Sequence, residues 1–258
     1  MDGDVKPEAI FTKYTARGAY HWSLTYHESL RRHNPRMHAR YDVPLRLVQG
    51  YEGSGGKRVG LEIGCGDGVL LYKAMSRGDR IVGIDLAYDS LTHASEQITG
   101  RLKRPPQVVN ASCYHLPFPH QSFDYVLSIE VIEHLADVDR YLQEIKRVLR
   151  PGGMVALTTP HRQESGMLQD PFHVREYTGP ELATCLGKHF PKVSVWGMYP
   201  AALDRLYFHA TGIGPLDKLV CGVFKLLAKW VFNPYIYSIR HAPDHCWAGL
   251  VALCTVDC

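Results

Sequence analysis

The stretch Val59-Gly60-Leu61-Glu62-Ile63-Gly64-Cys65-Gly66-Asp67-Gly68-Val69 decides the fold. A short apolar run ends on an acidic residue, enters a glycine-rich turn and continues into a helical pattern from Val69 to Ala74. Glycine lacks a Cβ, so the turn can adopt positive φ and let a ligand lie against bare backbone. Strand, glycine turn and helix N-terminus in succession form a nucleotide-type cradle. In Ile81-Val82-Gly83-Ile84-Asp85-Leu86 a second apolar strand delivers a carboxylate, about 20 residues beyond the turn, where an acid can accept both hydroxyls of a ribose. An ordinary strand-terminal Asp caps the next helix. The glycine turn before Asp85 favours the ribose.

Outward from this stretch, strand and helix signals alternate. Strands are expected at Arg58–Ile63, Arg80–Asp85, Gln107–Asn110, Phe123–Ile129 and Met154–Thr159. In Asp137–Leu149 the residues Val138, Tyr141, Leu142, Ile145, Val148 and Leu149 make a stripe of helical period, and Arg150-Pro151-Gly152-Gly153 is expected to stop that helix. Helix Pro180–His189, strand Val193–Gly197 and a terminal strand Trp247–Val256 follow. Alternation of this kind predicts an α/β, doubly wound parallel sheet with helices on both faces. Before it, Ser29–Gln49 reads as a helix or helix pair broken at Pro35 and Pro44, and Tyr51–Lys57 as a glycine-rich linker.

The 258 residues suffice for one large domain, and the formal net charge of +3 is too small to argue for nucleic acid. Seven cysteines without any C-x-x-C point to reduced thiols. The N-terminus lacks an apolar signal region and no apolar run reaches the length of a membrane span, so a cytoplasmic protein is expected.

Leu61-Glu62-Ile63-Gly64-Cys65-Gly66-Asp67-Gly68, Gly83-Ile84-Asp85, Leu116-Pro117-Phe118, Ser122-Phe123-Asp124-Tyr125-Val126-Leu127, Val131-Ile132-Glu133-His134-Leu135 and Leu149-Arg150-Pro151-Gly152-Gly153 resemble the ordered motifs of class I S-adenosylmethionine-dependent methyltransferases. The resemblance covers roughly residues 55 to 197. It implies a Rossmann-like seven-strand sheet of order 3-2-1-4-5-7-6 with strand 7 antiparallel. Residues 1–54 then form a helical lid, 55–258 the S-adenosylmethionine-binding domain, and 198–245 an insertion on the substrate side before the last strand. The family's cofactor roles fall on Glu62, Gly64, Cys65, Gly66 and Gly68 around the methionine and sugar, Asp85 on the ribose and Leu86 on the adenine. Ser112 stands where many relatives carry an adenine-binding Asp, with Cys113 beside it, and Ile129 lies beside the methyl donor. Tyr14 and Tyr20 are the lid aromatics expected over the cofactor.

A sulfonium is already a good leaving group, so alignment supplies much of the rate and a hydroxyl acceptor also needs a base. His134 is the first candidate, with Glu130 and His173 beside it and His161 and His21 behind. Glu130, Glu133 and His134 stand at i, i+3 and i+4, and with His173 they are a candidate set for a divalent cation. Similar E-x-x-E-H arrangements occur in ubiquinone-pathway O-methyltransferases and, paired with a later histidine, in small-RNA 2′-O-methyltransferases.

The Arg31–Arg46 run is a solvated helix face or an anion-steering patch. In Leu216–Phe232 lysines interleave with apolar residues, the pattern of a buried helix with lysines at its rim, and one that also suits peripheral membrane contact. The resulting expectation is O-methylation of a small-molecule or lipid-like acceptor. A metal-dependent RNA 2′-O-methyltransferase lacks a recognisable RNA-binding module here, and the intact glycine turn and Asp85 count against a non-catalytic binder.

Overall fold

The computed structural model describes residues 13–26, 34–49, 58–162, 168–200 and 247–257, together with 219, 222–227, 229, 233, 235 and 240–241. The linker expected at Tyr51–Lys57 lies outside the described residues. Strands β1 (Val59–Ile63), β2 (Arg80–Asp85), β3 (Gln107–Asn110), β4 (Phe123–Ile129), β5 (Leu149–Pro160), β6 (Lys192–Pro200), β7 (Arg240–His241) and β8 (Trp247–Thr255) form one sheet of order 3-2-1-4-5-8-6-7. The first five pair in parallel, and β8 runs antiparallel to both β5 and β6. With β8 in the place of the seventh strand, this is the expected doubly wound 3-2-1-4-5-7-6 sheet. The two-residue β7 is an addition: His241 and Arg240 pair with Trp196 and Gly197 at the sheet edge.

Both faces are covered, which is why the central strands read as unbroken apolar runs rather than as alternation. On one face α6 (Val138–Val148) buries Tyr141, Leu142, Ile145 and Val148, and α7 (Gly179–Gly187) buries Leu182 and Leu186. The other face takes α3 (Pro35–Gln49), α4 (Val69–Ser76) and α5 (Tyr88–Leu102), through Leu45, Val48, Leu70, Leu71, Leu91 and Ile98. Two short helices, α1 (Lys13–Arg17) and α2 (Tyr20–Thr25), precede them.

Local chemistry sets the ends. The Asp137 side chain accepts the Arg140 amide at 3.0 Å, and Thr178 with Glu181 forms a capping box at α7. One expected break, at Pro44, is absent. Pro35 opens α3 at a position whose amide needs no partner, and the Asn34 side chain caps it through the Met37 amide at 3.2 Å. Pro44 then sits inside the continuous helix, where it removes the bond to the Arg40 carbonyl but is itself buried in the packing. The stop expected at Arg150-Pro151-Gly152-Gly153 is present, since α6 ends at Val148, and the tetrapeptide itself belongs to β5. Register with β4 jumps from Phe123↔Leu149 to Tyr125↔Met154, and Gly152 absorbs the irregularity at φ 72°.

Gly68, the third glycine of the turn, has φ 85°, and a Cβ there would stand 2.7 Å from the Ala94 Cβ and 3.1 Å from the Ala94 Cα. It lets α5 pack against the start of α4. Gly68→Ala adds backbone strain to that overlap and is expected to cost about 2–3 kcal/mol. Urea denaturation measures it as a lowered midpoint at constant slope.

Candidate functional site

A cavity of about 440 Å³ opens at the C-terminal ends of β1, β2 and β4, where the strand order reverses. Its floor is Glu62, Ile63, Gly64, Cys65 and Gly66, and one wall is Ile84, Asp85, Leu86 and Ala87. Ala111 and Cys113 close one side, and Ile129, Glu130, Val131, Glu133 and His134 the other. Asp170, Phe172 and His173 reach in from the loop after β5. Arg17, Tyr20, His21 and Leu24 come from α1 and α2, and Met37, Arg40 and Tyr41 from α3.

In the glycine half, Gly64 has φ 69° and a Cβ there would meet Val131 Cγ2 at 2.6 Å, while Gly66 has φ 51°. The Gly66 and Ala87 amides each donate to one Asp85 oxygen at 2.8 Å. The carboxylate is thereby fixed in orientation, and each oxygen retains acceptor capacity for a hydroxyl. Burial pushes the Asp85 carboxyl upward despite those two amides. Glu62 is buried with no hydrogen-bond partner for Oε2 among the described residues, and burial, then Asp85 and Asp67, hold its carboxyl well above the usual range. An orphaned acidic oxygen in the cavity floor is a donor-seeking group, as a ligand ammonium would supply.

Two expected contacts fall elsewhere. Gly68 does not line the cavity, because its space is used by α5. Neither does Ser112, whose Oγ accepts the Tyr114 amide at 3.1 Å in a local turn while Cys113 faces the cavity. The side chain of Tyr14 lies outside the described residues.

The acid inside the glycine turn, Asp67, also points away from the cavity. It is buried and accepts the His21 backbone amide at 2.9 Å and the His21 ring Nδ1 at 3.2 Å. The Trp22 indole donates to the Asp67 carbonyl at 2.5 Å, and Arg101 stacks on the Trp22 ring at 4.3 Å. Helix α2 is therefore fastened to the glycine turn itself, which holds Tyr20, His21 and Leu24 over the cavity.

At the other end, the carboxylate set expected to converge does so only in part. Ligand atoms of Glu133, His134 and His173 lie within 4.8 Å of one another. Glu130 is not among them: at the end of β4, with φ 55°, it turns to an ion pair with Arg40 at 2.6 Å. Burial works against the Arg40 charge, but the Glu130 carboxylate with Tyr41 and Tyr199 together offset it and keep the guanidinium cationic. Glu133 is fully buried, accepts Thr159 Oγ1 at 3.0 Å through Oε2, and has no hydrogen-bond partner for Oε1 among the described residues. Burial, then the neighbouring Glu130, push its carboxyl well above the usual range.

Both imidazoles are oriented. His134 Nδ1 lies 3.0 Å from the Phe172 carbonyl, which can only accept, so Nδ1 carries the proton and Nε2, 3.9 Å from Glu133 Oε1, is the basic nitrogen. His173 Nδ1 meets Glu176 Oε1 at 2.6 Å, and that buried carboxylate also accepts the Gln169 amide at 2.7 Å. The orphaned Glu133 Oε1 and the basic nitrogens facing it fit a divalent cation, with Phe172 O and Glu176 as the outer partners that orient the imidazoles.

Arg40 and Glu176 are the site neighbours that sequence reading did not single out. Met37, Arg40 and Tyr41 stand at i, i+3 and i+4, the signature of one helix face, and Glu176 follows His173 by three residues. Both signals were present in the chain.

Residues 61–157 match the family described as "Methyltransferase domain". A probable S-adenosylmethionine-dependent methyltransferase from Mycolicibacterium smegmatis is 36% identical over 162 residues, covering 61% of this chain and 58% of that protein. A ubiquinone biosynthesis O-methyltransferase from Paracidovorax citrulli is 35% identical over 131 residues, 48% of this chain and 53% of that protein. Among solved structures, phosphoethanolamine N-methyltransferase 2 from Haemonchus contortus, in complex with phosphomonomethylethanolamine and S-adenosylhomocysteine, aligns with TM-score 0.62 at 19% identity, over 96% of this chain and 59% of that one. At that identity the likeness is one of fold. The chain spans about half the length of the curated relatives it matches.

Proposed function

We propose that this chain, whose residues 61–157 match the methyltransferase-domain family, is a class I S-adenosylmethionine-dependent methyltransferase that methylates a hydroxyl of a small-molecule or lipid-like acceptor. The observation that carries the reading is one cavity with two halves, a glycine and Asp85 cradle and an oriented His134/Glu133/His173 cluster. S-adenosylmethionine is the cofactor of the family. In this reading Asp85 holds the ribose hydroxyls, and Leu86, Ala87 and Cys113 border the adenine. The unpartnered Glu62 Oε2 receives the methionine ammonium, and Tyr20 and His21 cover that end.

Bound cofactor supplies an electrophilic methyl group. The protein's part is to align an acceptor oxygen behind that methyl and to take its proton. His134 Nε2 is the base nearest that role, since the Phe172 carbonyl fixes its tautomer and Glu133 steadies the imidazolium that forms. The same three residues, Glu133, His134 and His173, would hold a divalent ion, which supplies Lewis acidity toward the hydroxyl. One carboxylate and two imidazoles suit a first-row transition ion better than magnesium or calcium, which prefer all-oxygen sets.

A phosphate- or RNA-reading surface gains no support from Arg40, which lines the cavity and is already paired with Glu130. Titration calorimetry with S-adenosylhomocysteine tests the cofactor half and is expected to show one saturable site. Absence of heat at every concentration would sink the reading. Incubating the protein and S-adenosylmethionine with metabolite extract, then looking for a methyl mass increment, identifies the acceptor.

A further inference from the structure

The segment between β6 and β8 contains a helix whose described residues turn an aliphatic stripe to solvent. Residues 219, 222–227 and 229 are helical. At about 100° per residue, Leu219, Val223, Leu226 and Leu227 fall within one third of the circumference. All four are exposed, at 63%, 49%, 47% and 42%. Phe224 occupies a second sector and is buried, its ring 6.0 Å from that of Tyr235, in a cluster with Ala39, Val43, Met198, Tyr199 and Val251. Lys225 and Lys229 occupy the third. Among the described residues of this helix, Phe224 is buried and the aliphatic stripe faces outward.

Charge narrows what can cover that stripe. From Lys218 to Lys229 the stretch carries Lys218, Lys225 and Lys229 and neither Asp nor Glu, with Asp217 just before it. A second copy docked through a two-fold contact would gather the lysines of both copies around one apolar seam, with no acid on the stretch to offset them. An anionic lipid surface takes the aliphatic stripe into its acyl boundary and the lysines among its headgroups. The anchoring cluster includes Ala39 and Val43 of α3, the helix that brings Met37, Arg40 and Tyr41 to the cavity, so the surface is braced against a wall of the site. No helix among the described residues is long and apolar enough to cross a membrane, so the contact is peripheral. We propose that the exposed Leu219/Val223/Leu226/Leu227 stripe and its flanking lysines dock the protein on anionic membrane surfaces.

Flotation with phosphatidylcholine–phosphatidylglycerol vesicles, against pure phosphatidylcholine vesicles, tests this. The full chain is expected to float with the mixed vesicles at least about tenfold more than with the neutral ones, and less so as salt rises. Leu226→Glu/Leu227→Glu is expected to lose about tenfold or more of that binding. Lys225→Gln/Lys229→Gln should lose roughly 25-fold, about fivefold per lysine near an anionic surface. Both variants should bind S-adenosylhomocysteine as the parent does, which shows that they are folded. Cofactor binding is a separate readout, so failure of the methyltransferase reading would not alter the vesicle result. A parent chain that stays unbound, or a leucine variant that floats equally well, overturns the proposal. So does a stable dimer that the leucine variant dissociates without any vesicle binding.

Discussion

Asp85→Ala is expected to bind S-adenosylhomocysteine about 100-fold more weakly than the parent chain, the loss of two hydrogen bonds to a charged acceptor at roughly 1.5 kcal/mol each. The geometry makes this more than a deleted contact. Asp85 already accepts the Gly66 and Ala87 amides, one on each oxygen, at 2.8 Å. It ties the glycine turn to the start of α5, so on the proposed assignment the ribose hydroxyls would meet a carboxylate that need not reorganise. Alanine removes the ribose acceptors and leaves both amides without a partner. Asp85→Asn separates the two effects: it keeps one carbonyl acceptor but turns its NH2 toward an amide that needs an acceptor, so an intermediate loss of about tenfold is expected. Calorimetry on the three proteins reads this directly. An affinity for Asp85→Ala within threefold of the parent would remove the ribose assignment while leaving the fold intact.

Asp85 was legible in the sequence for the same reason that Gly64 and Gly66 were. Each meets a backbone requirement, a strand end or a positive φ, that leaves a local trace. The doubly wound sheet was legible because alternating apolar runs and amphipathic helices encode it directly. What stayed hidden depends on which way a side chain turns after the backbone is laid down. Glu130 looked like a fourth member of the Glu133–His134 set, since i, i+3 and i+4 share a helix face. At φ 55° it is not on that helix at all, and Arg40 takes its carboxylate. Asp67 sits inside the cradle motif yet faces α2, because the His21 amide and ring approach it from behind the turn. Pro44 was read as a break because local rules penalise an internal proline, but burial of α3 against the sheet overrode them. In the insertion, periodicity identified the helix, but not which stripe faces inward.

The second large effect is expected at the histidine cluster. Glu133→Gln and His173→Gln should each abolish measurable binding of Co2+ or Zn2+ at concentrations where the parent is saturated, because each removes one of three ligands. Glu176→Gln should weaken the ion by about 10–100-fold, the usual cost of losing an outer partner. The distances carry this argument. Glu176 holds His173 Nδ1 at 2.6 Å and so directs Nε2 into the cavity, the Phe172 carbonyl does the same for His134 at 3.0 Å, and Glu133 Oε1 sits opposite with no hydrogen bond of its own. A buried carboxylate left in that state invites either a proton or a cation, and raising its proton affinity by burial is the cost that a bound cation would offset. Competition with a chromophoric chelator measures the affinities without requiring the acceptor to be known. Should the parent bind neither ion, the cluster reduces to His134 as base with Glu133 behind it. His134→Ala should then lower turnover of the identified acceptor by about 10²–10⁴-fold, with S-adenosylhomocysteine affinity unchanged, the separation expected of a proton acceptor that does not hold the cofactor.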